Sequence, residues 1–143
     1  MKTKLMADST CDLSQEILNR YNICLAPLVV SIEGKEYRDR IDISNDEFYK
    51  NLMTFKPYPT TSMPSPESYI ACIKHAIEQG YEKILCICMS SGTSGSYQSA
   101  LLAKELFYEQ NPKSNIQFEI IDSVSMSHGS GWLIMKCAMF IEN

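Results

Sequence analysis

Three short polar stretches carry hydroxyl groups that could bind a ligand. Each follows a predicted strand or leads into a predicted helix. Loops of this kind gather beyond the carboxyl ends of the strands in open α/β sheets, where the ligands of such sheets bind. Hydroxyl and backbone N–H groups donate hydrogen bonds without carrying charge, and such donors can hold an anion. The three stretches are residues 8–10, 60–65 and 90–96.

Residues 90–96, which we call the Ser/Gly loop, are the most informative of the three. Gly92 and Gly95 let the backbone come close to a ligand, and the start of the following helix attracts negative charge through its free N–H groups. Hydroxyls such as that of Ser94 add further donors. A P-loop would need a lysine that this loop lacks, and neutral donors suit a carboxylate better than a polyphosphate. The alternative is that the serines only cap the helix, and both interpretations stay open.

The second stretch contains two hydroxyls that helix capping does not require. Ser65 is predicted to cap the next helix, and Pro64 stiffens the approach to it. Thr61 and Ser62 lie upstream, in a segment that the prolines hold extended. They are candidate donors to an anion at the Ser/Gly loop, with a solvated turn as the alternative.

A serine hydrolase is a catalytic alternative, because Ser94, Asp122 and His128 follow the serine–acid–histidine order of α/β-hydrolases. The nucleophile motif G-x-S-x-G is incomplete, since Ser96 stands where the second glycine belongs. Asp122 and His128 also lie only six residues apart, which makes a relay with the histidine in the middle hard to build. We therefore predict no catalytic residue. The histidines and cysteines lack the spacing of a zinc site, so no metal is predicted either.

The elements that must position these loops alternate along the chain. Strands are predicted at residues 4–8, 23–32, 83–89 and 116–122, with a short return strand after a turn at Gly34. Helices are predicted from an Asp12 cap to about Arg20, after Ser44, from Ser65-Pro66 to Gly80, from about Tyr97 to Asn111, and from about Ser127 onward. This order predicts an α/β fold with a mostly parallel sheet and helices on both of its faces.

Composition is that of one ordinary globular domain. The 143 residues are 45% hydrophobic and 21% charged, with a net charge of −4. Since no basic cluster is present, a nucleic-acid or anionic-membrane surface is disfavoured. The longest apolar run, residues 84–89, is too short to cross a bilayer. No signal sequence is recognisable, and the six cysteines are interpreted as reduced, mostly buried thiols, which favours a cytoplasmic protein.

Four stretches, taken together, resemble the DegV family of bacterial fatty-acid-binding proteins. They are residues 7–14, 60–67, 90–100 and 121–131. The resemblance implies a long-chain fatty acid such as palmitate, bound between two α/β domains without a cofactor. It also implies which residues hold the carboxylate, namely Thr61, Ser62, Gly92, Ser94 and Gly95. Some members present the lipid to the ATP-binding subunit of a fatty acid kinase, which implies such a partner for this chain.

The sequence departs from the family pattern in several respects. Met63 stands where the family usually has glutamine, Thr93 where it usually has leucine, and His128 in what is usually a run of small residues. Family members are also about twice as long. We therefore expect residues 1–143 to be an N-terminal domain, truncated within an apolar helical pattern, with an exposed apolar cleft. The alternative function is an α/β enzyme for a phosphorylated substrate, against which the lack of basic residues in the loops argues.

Overall fold

Seven strands and five helices follow the apolar runs and caps of the sequence in residues 2–142, which the computed structural model describes. Strands β1 to β7 span Thr3–Asp8, Cys24–Ala26, Val29–Ile32, Lys35–Arg38, Thr60–Ser62, Lys83–Cys88 and Gln117–Asp122. Helices α1 to α5 span Gln15–Arg20, Asn45–Asn51, Pro66–Glu78, Ser96–Gln110 and His128–Glu142. None of the helices in this part of the chain has the length and apolar character needed to cross a membrane.

The centre of the fold is a four-stranded parallel sheet in the order β2-β1-β6-β7. Successive residues of a strand point to opposite faces. In β1, Met6 packs into the cluster that α3 and α4 cover, whereas Leu5 and Ala7 pack into the cluster that α1 and α5 cover. Burial on both faces is why β6 is almost continuously apolar and why β1 is apolar from Leu5 to Ala7. The predicted α/β class, with helices on both faces of a parallel sheet, is confirmed.

A second, antiparallel sheet has the order β4-β3-β5. Pro27 divides the apolar run that was predicted as one strand, so that β2 joins the parallel sheet and β3 joins the antiparallel one. The return strand after Gly34 is confirmed as β4. Residues 60–62 form β5, with Thr61 opposite Val30. The extended segment expected before α3 is therefore a strand at the edge of a sheet.

The predicted serine caps are confirmed, and the predicted Asp12 cap is wrong. Ser44 accepts the backbone N–H of Glu47 at 3.1 Å at the start of α2, and Ser65 caps α3 in the same way. At α1 the cap is Ser14, two residues later than predicted. Asp12 follows a 3-10 turn and has a φ of +53°, whereas a helix N-cap needs extended backbone.

The cysteines are not all free, which corrects the interpretation of six reduced thiols. Cys24 on β2 and Cys72 on α3 form a disulfide, their Cα atoms being 6.1 Å apart. No spacing rule connects these positions, because only the packing of the helix onto the sheet brings them together. Cys86 and Cys88 are buried free thiols with sulfur atoms 3.6 Å apart, so they point to one face of β6 as predicted.

Candidate functional site

An apolar cleft of about 310 Å³ lies where the parallel sheet meets the antiparallel sheet. Its walls come from the ends of β1 and β6, from β3 and β5, from α2 and from the segment before α5. The apolar side chains on these walls are Leu28, Val30, Ile43, Phe48, Met89 and Met126. The polar residues are Ser9, Thr10, Asp12, Asp39, Asn45, Tyr49, Thr61 and Ser127. The cleft is suited to a mainly apolar ligand that carries a polar group at one end.

A buried aspartate holds the loop after β1 at one side of the cleft. Asp8 is only 1% exposed, and its carboxylate accepts the backbone N–H of Met89 at 2.7 Å. It also accepts the backbone N–H and the hydroxyl of Thr10. The neighbouring Ser9 hydroxyl accepts the N–H of Leu28 at 3.0 Å. This first polar stretch thus ties the end of β1 to the end of β6 and to the connection between β2 and β3, beside the cleft.

The turn after β4 carries one acidic and one apolar residue, Asp39 and Ile43, to the cleft. Arg38 fixes this turn by donating to the carboxylate of Asp42 from its backbone N–H and its guanidinium, at 2.8–2.9 Å. The hydrogen bond from the guanidinium is the main reason why the pKa of Asp42 falls to about 2. The Arg38–Asp42 pair thus holds in place the turn that carries Asp39 and Ile43 to the cleft.

Thr61 and Ser62, the two predicted hydroxyl donors of the second stretch, lie on the exposed edge strand β5. Thr61 lines the cleft. Ser62 is not among the lining residues, as expected from the alternation of side chains along a strand. The structure therefore brings Thr61 to the cleft and leaves Ser62 beside it.

The Ser/Gly loop forms a tight turn in front of α4. The carbonyl of Ser90 accepts the N–H groups of Thr93 and Ser94 at 3.0 and 3.1 Å. The Ser94 hydroxyl accepts the N–H of Ser96 at 3.2 Å and lies 2.9 Å from the Ser96 hydroxyl. Neither hydroxyl caps α4, whose N-cap residue is Gly95 with no side-chain hydrogen bond, so the alternative that these serines only cap the helix is wrong. A hydroxyl can accept and donate at the same time, so its contact with Ser96 leaves Ser94 able to serve a ligand.

The second stretch and the Ser/Gly loop meet through Met63. A Cβ atom added at Gly95 would lie 2.2 Å from the sulfur of Met63, so only a glycine permits this approach. The hydroxyl of Ser99 on α4 also donates to the carbonyl of Pro64 at 2.6 Å. Gly92, Ser94 and Gly95 do not line the cleft themselves. They are joined to its Thr61 end by this contact.

The segment between β7 and α5 supplies cleft residues that sequence reasoning missed, Met126 and Ser127. It is bound to the Ser/Gly loop, since the N–H of Ser90 donates to the carbonyl of Ser125 at 2.8 Å. The carboxylate of Asp122 accepts the N–H of Ser91. Its pKa is lowered mainly by a hydrogen bond from the Ser91 side chain and next by the backbone N–H of Val124. The resemblance at residues 121–131 was the available signal, but it assigned no role to these side chains.

The three residues of the hydrolase alternative are not brought together. Ser94 contacts Ser96, and Asp122 is engaged with the Ser/Gly loop. His128 begins α5, where its Nδ1 lies 3.3 Å from the Ser127 hydroxyl and 3.9 Å from the carboxylate of Asp12. Within residues 2–142, no cluster of three or more His, Cys, Asp or Glu side chains could hold a metal ion.

Comparison with known proteins identifies relatives over the whole chain. The family model described as "Uncharacterised protein, DegV family" matches residues 2–143. A DegV domain-containing protein of Clostridium acetobutylicum is 36% identical over 141 residues, which cover 99% of this chain and 48% of the relative. The chain thus spans about half the length of the curated relatives it matches.

Solved structures of the same kind have the same fold. A stearic-acid-binding protein from Eubacterium ventriosum superimposes with a TM-score of 0.88 at 36% identity. The superposition covers 99% of this chain and 48% of the Eubacterium ventriosum chain. A fatty-acid-binding DegV family protein from Thermus thermophilus superimposes with a TM-score of 0.82 at 30% identity, with the same coverage.

Proposed function

The chain belongs to the DegV family, and on that premise we propose that its cleft binds the acyl chain of a long-chain fatty acid such as palmitate. The observation that carries the proposal is an apolar cleft with the hydroxyl-bearing Thr61 in its wall. The fatty-acid-binding relatives from Eubacterium ventriosum and Thermus thermophilus support it. Each buried CH₂ group contributes about 0.8 kcal/mol, so burial of the acyl chain sets the affinity.

The carboxylate is proposed to lie between β5 and the Ser/Gly loop. Thr61 and Ser62 would donate from their hydroxyls, and the stretch from Gly92 to Gly95 would donate from backbone N–H groups and the Ser94 hydroxyl. The contact between Met63 and Gly95, which holds the two segments together, supports this arrangement. Each hydrogen bond to the charged head group is worth about 1.5–3 kcal/mol.

Two acidic side chains support the same orientation of the ligand. Asp12 and Asp39 line the cleft, and their carboxylates repel a fatty-acid carboxylate placed beside them. Thr61 lines the cleft with no charge of its own. The head group is therefore stabilised near Thr61 and destabilised near the aspartates.

A pair of isosteric variants on one strand tests the head-group assignment. Thr61→Val removes one hydroxyl donor and keeps the side-chain shape, so palmitate affinity should fall about tenfold. Thr60→Val is the matched control, because Thr60 is also exposed on β5 but does not line the cleft. Isothermal titration with palmitate gives both dissociation constants. Equal affinities of the two variants would show that Thr61 does not bind the head group. The proposed function itself would be refuted if native mass spectrometry showed that the protein neither carries nor takes up fatty acid.

We extend the proposal to a non-catalytic role in which a second domain completes the site and the loaded protein meets a fatty acid kinase. The support is the family membership together with the relatives' greater length. In this role the protein orients the carboxylate, and the ATP-binding subunit transfers the phosphoryl group. Mixing the full-length, palmitate-loaded protein with such a subunit and ATP should yield acyl phosphate, and the protein with ATP alone should yield none.

A further inference from the structure

We infer that Met63 is a site of reversible oxidation that controls whether the fatty-acid carboxylate can bind. The inference rests on the proposed function. Its structural basis is the position of the Met63 sulfur, which lies against Gly95 between the two segments that would hold the carboxylate. Met63 is 50% exposed, so its side chain is partly open to a small oxidant in water.

The reaction needs only hydrogen peroxide. A lone pair of the thioether sulfur attacks one peroxide oxygen, an S–O bond forms, the O–O bond breaks and water leaves. The sulfur loses two electrons and the peroxide gains them, which gives methionine sulfoxide. A methionine sulfoxide reductase reverses the step by removing the oxygen as water at the expense of two thiols, which become a disulfide.

The sulfoxide oxygen has no free space on the side of the Ser/Gly loop. The sulfur is so close to Gly95 that a Cβ atom added there would lie only 2.2 Å from it. An oxygen added to the sulfur must therefore either push the two segments apart or point into the carboxylate position. The oxygen is also a strong hydrogen-bond acceptor. It competes with the carboxylate for the same hydroxyl and N–H donors and repels its negative charge.

The other methionines within residues 2–142 are placed differently, which makes the effect specific. Met6 and Met89 are buried, whereas Met53, Met135 and Met139 do not line the cleft. Met126 is exposed and lies on the acyl wall, where its oxidation would weaken binding for a separate reason. A clean measurement therefore uses protein in which Met126 is already replaced by leucine.

The test compares Met63→Leu with Met53→Leu, each in the Met126→Leu background, before and after mild treatment with hydrogen peroxide. Peptide mass mapping reports the sulfoxide at each position, and titration with palmitate gives the dissociation constant. The background protein and the Met53→Leu variant should lose affinity about tenfold on oxidation and regain it after reductase treatment, as expected for loss of one hydrogen bond to the carboxylate. The Met63→Leu variant should keep the affinity it had before oxidation.

The outcomes separate this inference from the proposed function. If Met63→Leu loses as much affinity on oxidation as the background protein, or if sulfoxide forms at Met63 without any loss, the inference is overturned while fatty-acid binding stands. If Met63 stays unoxidised while Met53 is converted, the inference is overturned as well. Absence of palmitate binding before any oxidation overturns the proposed function and the inference together.

Discussion

At Gly95 the absence of a side chain decides how closely the two segments proposed to hold the carboxylate approach each other. The sulfur of Met63 occupies the space that a Cβ atom would need. A thioether is soft and rotates easily, so it fills this space without fixing a rigid geometry. One glycine and one methionine thus set the spacing between the hydroxyls of β5 and the start of α4.

Gly95→Ala should weaken palmitate binding about tenfold with little loss of stability. The new methyl group displaces the flexible Met63 side chain, which costs about 1 kcal/mol at most, but it changes the position of the carboxylate donors. Titration with palmitate and chemical denaturation measure the two effects.

A second substitution identifies the cause of the loss. Met63→Ala in the Gly95→Ala protein removes the obstructing sulfur, so it should recover most of the lost affinity. No recovery of affinity in the double variant would contradict the steric explanation.

Helix α5 is held at a fixed distance from the loop after β1 by Gly131. A Cβ atom there would lie 2.2 Å from the backbone carbonyl oxygen of Cys11, which cannot move without moving the 3-10 turn at Ser9–Cys11. The loop leading into α5 carries Met126 and Ser127, and the turn carries Ser9, so this contact also sets the width of the cleft.

Gly131→Ala should therefore lower the free energy of unfolding by about 2 kcal/mol, since overpacking against backbone outweighs the helix preference of alanine. Gly129→Ala is the control on the same helix. Its Cβ would meet only the side chain of Ser125, whose hydroxyl can rotate away and whose Cβ, at 3.3 Å, needs to shift by only a few tenths of an ångström. Urea denaturation should show a shift for the first variant and almost none for the second. Similar shifts in both would mean that α5 itself, not its contact with Cys11, is sensitive.

The sequence predicts some strands and helices well and others poorly. β6 was predictable because burial on both faces leaves an unbroken apolar run, and β1 because Leu5, Met6 and Ala7 form a shorter one. Ser44 and Ser65 cap helices through local hydrogen bonds. β5 has three polar residues and forms only because β3 lies beside it. Asp12 was misassigned because the left-handed backbone after the 3-10 turn has no sequence signal.

The candidate site shows the same division between local and tertiary information. Thr61 and the Ser/Gly loop were recognisable from hydroxyls and glycines in consecutive positions. Phe48 and Met126 reach the cleft from elements far apart in the chain, and no periodicity marks them. The contact between Met63 and Gly95 leaves no room for a Cβ atom on Gly95, and only the packed structure shows how closely the two residues approach.

For the whole molecule, the cleft exists because two sheets of different type meet at one edge. Neither sheet forms the cleft alone, since its walls need the ends of β1 and β6 as well as the face of β3. In the proposed complex, the walls in this chain would cover an acyl ligand from one side. The relative from Eubacterium ventriosum has the same fold over this region in a chain about twice as long.

The dependence of affinity on acyl length measures how much of the ligand each protein covers. Full burial contributes about 0.8 kcal/mol per CH₂, so palmitate should bind about fifteenfold more tightly than myristate when both extra CH₂ groups are enclosed. Coverage from one side gives about half of that free energy, or about a fourfold preference. We expect the smaller ratio for this 143-residue chain and the larger one for the Eubacterium ventriosum protein, by titration under identical conditions. Equal ratios near the larger value would mean that this cleft closes around the acyl chain without help, and a second domain would then not be needed to complete the site.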